Sequence, residues 1–281
     1  MIRFESISKR WPDGTAAVDN VSLSIPRGQF CVILGPSGAG KSTLLRMVNG
    51  MITPTAGRVV FEGTTVNPKT LKQVRPRIGM VHQSFNLVGR LSVLDNVLCG
   101  TLPRLGFMRS MFRLFHTTDQ RRACLLLSQV GLDQSHLYRR ASQLSGGQQQ
   151  RVAIARAFIA GPDVVLADEP VASLDPRTSS DILTLLKGES QRGAKESKGP
   201  VTVLCSLHQV DLARAFADRI VGMRQGRVVF DGRPDELTEE KLNHVYGGET
   251  PGSVNDSSSH HDELSGAKGD VTPALPRIEA I

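Results

Sequence analysis

The sequence predicts an α/β fold built on a mostly parallel sheet covered by helices. Three stretches carry that expectation, each a short apolar run leading into a turn and then a helical pattern. Residues 32–34 run through a glycine-rich segment, 35–40, into a helix over 42–50. Residues 164–167 run into Asp168 and a polar helix near 176–187, and residues 201–206 end just before His208 and a helix over 211–218. The first 30 residues, and the pair 220–224 and 227–231 joined by Gln225 and Gly226, read as antiparallel strands. Residues 91–160 look helical and are expected to form a separate lobe, with the core made of 1–90 and 161–245. From residue 246 to 281 the chain turns to Gly, Ser, Asp and the adjacent His260 and His261. That stretch has too little apolar surface to fold alone, so it is expected to be a disordered tail with solvated histidines.

Composition narrows the class. The 281 residues suit one sizeable α/β domain or two small ones. With 40% hydrophobic and 22% charged residues the chain reads as an ordinary soluble protein. Its apolar runs are a few residues long, far short of the about 20 a membrane helix needs. The segment Met1-Ile-Arg-Phe-Glu-Ser lacks the apolar core of a signal peptide, so the chain is expected to stay in the cytosol and touch membranes only peripherally. Cys31, Cys99, Cys124 and Cys205 form no close pair and are expected to be buried, reduced thiols. The net charge of +7 is compatible with an anionic partner or with none. Residues 101–140 hold seven arginines against two aspartates, either a solvated face or a partner surface.

The run Gly35, Pro36, Ser37, Gly38, Ala39, Gly40, Lys41, Ser42, Thr43 fits the pattern G-x-x-x-x-G-K-[ST] between a strand and a helix. Glycines let successive backbone N–H groups curl around phosphate oxygens, and the helix starting near Lys41 turns its positive end toward them. Lys41 is expected to reach the β- and γ-phosphates of ATP and Ser42 to ligate Mg²⁺. The strand at 164–167 then delivers two carboxylates, Asp168 to hold Mg²⁺ and Glu169 to polarise the attacking water. A third element, Leu144-Ser145-Gly146-Gly147-Gln148, ends 20 residues before Asp168 and leads into the amphipathic run 149–159. Serine and paired glycines at a helix N-terminus make a second anion cradle.

Leu144–Gln148 resembles the signature of ABC transporter ATP-binding subunits, and the resemblance extends over residues 1–245. It implies a RecA-like P-loop NTPase core with an antiparallel β subdomain and a helical subdomain. It further implies that Trp11 stacks on adenine, that Gln83 joins the metal and couples the γ-phosphate to the transporter, that Ser173-Leu174-Asp175 is the D-loop, and that His208 is the switch histidine. Catalysis then falls to Glu169, His208, Lys41 and Gln83, and the metal to Ser42, Gln83 and Asp168. Ser145, Gly146, Gly147 and Gln148 of one copy would close on the ATP of another in a homodimer. The implied partners are membrane permease subunits and a periplasmic substrate-binding protein, with no nucleic acid, at the cytoplasmic face of a bacterial inner membrane.

The segments at 85–97, 148–157, 167–176, 207–213 and 218–232 are most similar to the ATPases of phosphonate importers. His82 stands where phenylalanine is commoner and Ser84 where glutamine is. The segment after Gln83 is expected to form a groove for a permease helix. The basic stretch 102–116, with Arg104, Arg109 and Arg113, would lie beside that groove or near anionic lipid. Phosphate, phosphite, methionine and polar amino acids are the neighbouring cargoes. A soluble ABC ATPase of ribosomes or DNA repair is a different class. Ribosome-acting members usually carry two cassettes and repair members long coiled coils, and neither pattern occurs here.

Overall fold

The computed structural model describes residues 1–105, 114–172, 174–195 and 199–247. In chain order the strands are β1 (Ile2–Arg10), β2 (Ala16–Ile25), β3 (Phe30–Leu34), β4 (Ala56–Phe61), β5 (Thr64–Thr65), β6 (Ile78–Val81), β7 (Val164–Asp168), β8 (Thr202–Ser206), β9 (Arg219–Arg224) and β10 (Arg227–Gly232). The α-helices are α1 (Lys41–Val48), α2 (Leu71–Val74), α3 (Val93–Leu98), α4 (Thr117–Gln129), α5 (Gly146–Phe158), α6 (Pro176–Lys195), α7 (Val210–Phe216) and α8 (Glu239–Tyr246).

The strands form two sheets among the described residues. The larger runs β10-β9-β3-β8-β7-β6. Its β9, β3, β8, β7 and β6 are parallel, and β10 returns antiparallel at the edge. Strands β3, β7 and β8 are buried at every position, as expected where both faces of a parallel sheet are covered. The smaller sheet, β2-β1-β4-β5, is antiparallel. Ile2, Phe4 and Ile7 of β1 are buried between more exposed neighbours, the alternation of a strand with one wet face.

The parallel sheet separates two apolar layers. On one face Cys31, Ile33, Val164 and Leu166 pack with α1 and the inner face of the antiparallel sheet. On the other, Val32, Leu34, Val165 and Val203 join Val97, Leu127, Val152 and Ile182. The helical stretch, expected as a lobe of its own, is therefore continuous with the sheet through one apolar cluster. Helix α5 supplies the joint, since Val152, Ala153, Ile154, Ala155, Ala157 and Phe158 are all buried.

Helix boundaries differ from expectation where tertiary contacts outweigh pattern. Helix α6 runs on past 187 to Lys195 although its apolar stripe ends at Leu186. Glu189 and Ser190 are buried there, and the Ser190 carbonyl accepts from Val201 N–H at 3.0 Å. The tail boundary also moves. Tyr246, read as its first residue, closes α8 and is buried. Cys31 and Cys205 are buried, but Cys99 and Cys124 are only half-buried, because each lines a surface groove. Burial pushes the Cys31 thiol up to about 12 and raises Cys205 as well. No described helix is long and apolar enough to cross a membrane.

Strand β6 and helix α5 approach so closely at Gly79 that a Cβ there would collide with the Ala157 carbonyl. Gly79→Ala should force the two apart and lower stability by about 1–3 kcal/mol. Urea unfolding followed by circular dichroism checks it, and an unchanged midpoint would show that the layers can relax.

Candidate active site

Parallel pairing brings the carboxyl ends of β3, β7 and β8 to one rim, where open α/β sheets place their ligand crevice. The loop after β3 is braced from behind. Gly40 has φ 100°, and a Cβ on it would strike the Ala17 carbonyl of β2. Gly35 abuts the Met223 carbonyl of β9 in the same way. Both positions therefore require glycine. Lys41, 4% exposed, donates from Nζ to the carbonyls of Gly35 at 2.8 Å and Pro36 at 2.9 Å, spanning its own loop. Burial holds the ammonium below its ordinary range, against the pull of the Glu169 and Asp168 carboxylates. The loop and the first turn of α1 thus keep a desolvated cation beside backbone dipoles, an arrangement that favours an anion.

Asp168, 2% exposed, ends β7 inside a cluster. Its Oδ1 accepts from Ser42 Oγ at 2.7 Å and Ser206 Oγ at 3.1 Å, and its Oδ2 from Arg46 Nη2 at 3.0 Å. Ser42 and Arg46 are four residues apart on α1 and so share a face. Glu169 leaves the strand in the left-handed region, φ 50°, with its N–H donated to Ser206 Oγ at 3.0 Å. Its carboxylate meets His208 Nε2 at 2.5 Å. That hydrogen bond holds the carboxyl below its ordinary range, burial opposing and the His208 and Lys41 charges assisting. The His208 carbonyl accepts from the Tyr246 hydroxyl at 3.1 Å, so α8 closes the rear of the site.

The Ser42 hydroxyl oxygen and the Asp168 carboxylate oxygen, side by side at the end of the glycine-rich loop, suit a small hard cation. Gln83, expected in that set, stands exposed past the end of β6 and makes no hydrogen bond to Ser42 or Asp168 among the described residues. Trp11 is 38% exposed and carries the Lys9 ammonium 4.9 Å from its ring centroid.

Ser145–Gln148 open helix α5. The Ser145 hydroxyl accepts from Gln148 N–H at 3.3 Å, and Gln148 Oε1 accepts from Ser145 N–H at 3.1 Å, a reciprocal cap. Gln148 Nε2 then lies 3.2 Å from His136 Nε2, whose Nδ1 is 2.8 Å from Asp133. With the amide donating to Nε2, His136 carries its proton on Nδ1 and gives it to Asp133. Hydrogen bonds to Ser135 and His136 pull the Asp133 carboxyl down to about 2. This helix cap shares no hydrogen bond with residues 35–43 among the described residues.

Ser173 lies outside the described residues. Asp175 beside it caps α6 through Thr178 N–H at 3.0 Å. Residues 106–113 of the basic stretch are likewise outside, and Arg104 donates to the Pro76 carbonyl at 3.1 Å.

Four contributors were not singled out by sequence. Arg46 could have been found from its spacing to Ser42. Ser206 meets Asp168 only through strand pairing across 38 residues. Tyr246 sits in a stretch read as tail. Arg156 of α5 holds the carbonyls of Phe85 at 2.7 Å and Asn86 at 2.6 Å, two successive left-handed residues just after Gln83.

Residues 18–172 match the family model described as ABC transporter. The phosphonates import ATP-binding protein PhnC of Hydrogenovibrio crunogenus is 52% identical over 246 residues, 88% of each chain. That of Thiobacillus denitrificans is 50% identical over 87% of this chain and 92% of its own. Among solved structures, a dimeric ATP-binding cassette in a post-hydrolysis state bound to ADP and Pi is 34% identical, with a TM-score of 0.70 over 83% of this chain and 99% of its own. CbiO1 of Clostridium perfringens, part of an ABC transporter complex, is 29% identical, with a TM-score of 0.71 over 86% of this chain and 92% of its own.

Lys41→Ala should weaken binding of a fluorescent Mg-ATP analogue by about 100-fold or more, because a buried charge-assisted contact to phosphate is removed. Titration of the purified chain checks it, and wild-type affinity would refute the cradle.

Proposed function

The chain belongs to the ABC transporter family, and from that premise we propose that it is the ATP-hydrolysing subunit of a phosphonate importer. The observation that carries the reading is the cluster Ser42–Asp168–Ser206–Glu169–His208 assembled beside Lys41. The cargo rests on the relatives at about half identity, which are phosphonates import ATP-binding proteins over nearly their whole length.

ATP enters with its phosphates over residues 35–43. Lys41 exchanges the carbonyls of Gly35 and Pro36 for the β- and γ-phosphate oxygens, a stronger charge-assisted contact. Ser42 and Asp168, with Gln83, would hold Mg²⁺, which would supply positive charge that offsets the charge of the phosphates. Trp11 lies against adenine. Glu169, already held as a carboxylate, orients the attacking water, and this requires His208 to release it and turn to the γ-phosphate. Lys41, His208 and the opposing Ser145 then stabilise charge on the departing phosphate.

The chain carries one set of these motifs, so a second copy completes the site. Ser145, Gly146, Gly147 and Gln148 of that copy cover the ATP, giving a homodimer with two nucleotides at its interface. Gln83 and the strained Phe85–Asn86 turn, clamped by Arg156, adjoin a groove lined by Pro76, Met80, His82 and Pro103, where a permease helix docks. The complex sits at the cytoplasmic face of the inner membrane, and a periplasmic binding protein delivers substrate from the other side.

Two outcomes test this. Glu169→Gln should keep Mg-ATP affinity, lose turnover by about 1,000-fold and elute as a nucleotide-trapped dimer in size-exclusion chromatography; rapid hydrolysis by this variant would overturn the role of Glu169. Deleting the gene in its host should abolish growth on a phosphonate as sole phosphorus source and leave growth on phosphate intact. Unchanged phosphonate growth would reassign the cargo.

A further inference from the structure

Ser206 occupies a position that no motif names. It ends β8, is fully buried, and is the pairing partner of Asp168 across the parallel β7–β8 register. Paired residues on adjacent strands face the same side, so its hydroxyl lies against the Asp168 carboxylate and donates to Oδ1 at 3.1 Å. A hydroxyl has one proton, and giving it to Asp168 leaves the oxygen lone pairs as acceptors. One of them takes the Glu169 N–H at 3.0 Å.

That N–H is where β7 stops pairing as a strand. Glu169 turns into the left-handed region, φ 50°, a conformation that costs a non-glycine residue free energy unless its surroundings fix it. The turn carries its carboxylate to His208. Without an acceptor at Ser206 a partly buried amide loses its partner, and the chain gains a reason to relax toward the strand conformation.

We propose that Ser206 is a positioning residue for hydrolysis: through its hydroxyl it fixes the backbone of Glu169 so that the carboxylate stays at the catalytic rim beside His208. The proposal rests on the ATPase reading above. Ser206 acts through Glu169 and touches no nucleotide.

The test uses the purified full chain and Mg-ATP. Ser206→Ala, and Ser206→Cys, which keeps a similar shape but hydrogen-bonds weakly, are expected to lower kcat about 10- to 100-fold. Their KM, and their affinity for a fluorescent ATP analogue, should stay within about twofold of wild type. In a Glu169→Gln background, Ser206→Ala should change the residual single-turnover rate by less than about twofold, because the group it positions is already gone. Wild-type kcat in both single variants overturns the proposal, as does a full multiplicative loss in the double variant. If the wild-type chain itself neither binds nor hydrolyses ATP, the ATPase reading falls and this proposal falls with it. An active wild type with both single variants unimpaired sinks this proposal and leaves the ATPase reading standing.

Discussion

The parallel pairing of β3, β8 and β7 is the constraint on which the rest of the site depends. These three strands are buried throughout, so their register is set by packing on both faces. That register aligns Val164–Asp168 with Thr202–Ser206 and Phe30–Ile33 with Val203–Ser206. A phosphate-type loop, two carboxylates and a histidine from segments far apart in the chain consequently emerge within hydrogen-bonding reach. A slip of one residue in β8 would turn Ser206 to the opposite face and leave Asp168 and the Glu169 amide without it.

Polar groups at this rim are satisfied as a set. Asp168 takes hydrogen bonds from three side chains, one from β8 and two from α1. Lys41 is desolvated and answered by carbonyls, with carboxylates nearby. Such networks are stable when complete and costly when one member is lost. A phosphate arriving at Lys41 replaces carbonyl partners that already exist.

Legibility in the sequence followed the range of the interactions. The glycine-rich turn and the apolar strand ending at Asp168 are local patterns, because backbone curvature and strand burial are local requirements. The reciprocal Ser145–Gln148 cap is equally local, three residues apart. What sequence did not disclose is contact across distance. Ser206 is paired by sheet register, and Arg156 reaches back about 70 residues to the Phe85 and Asn86 carbonyls. His136 steadies Gln148 from a neighbouring short turn. Helix α6 outlasted its apolar stripe, with Glu189 and Ser190 buried and the Ser190 carbonyl accepting from Val201 N–H, which no helical period records. The larger sheet's antiparallel edge was readable from the Gln225-Gly226 turn, but its attachment beside β3 was not.

The Tyr246 hydroxyl on the His208 carbonyl sets an inner limit to where this polypeptide can stop. A chain cut back to Val245 would retain every recognisable motif, yet it would lose the hydroxyl that steadies the loop carrying His208 from behind.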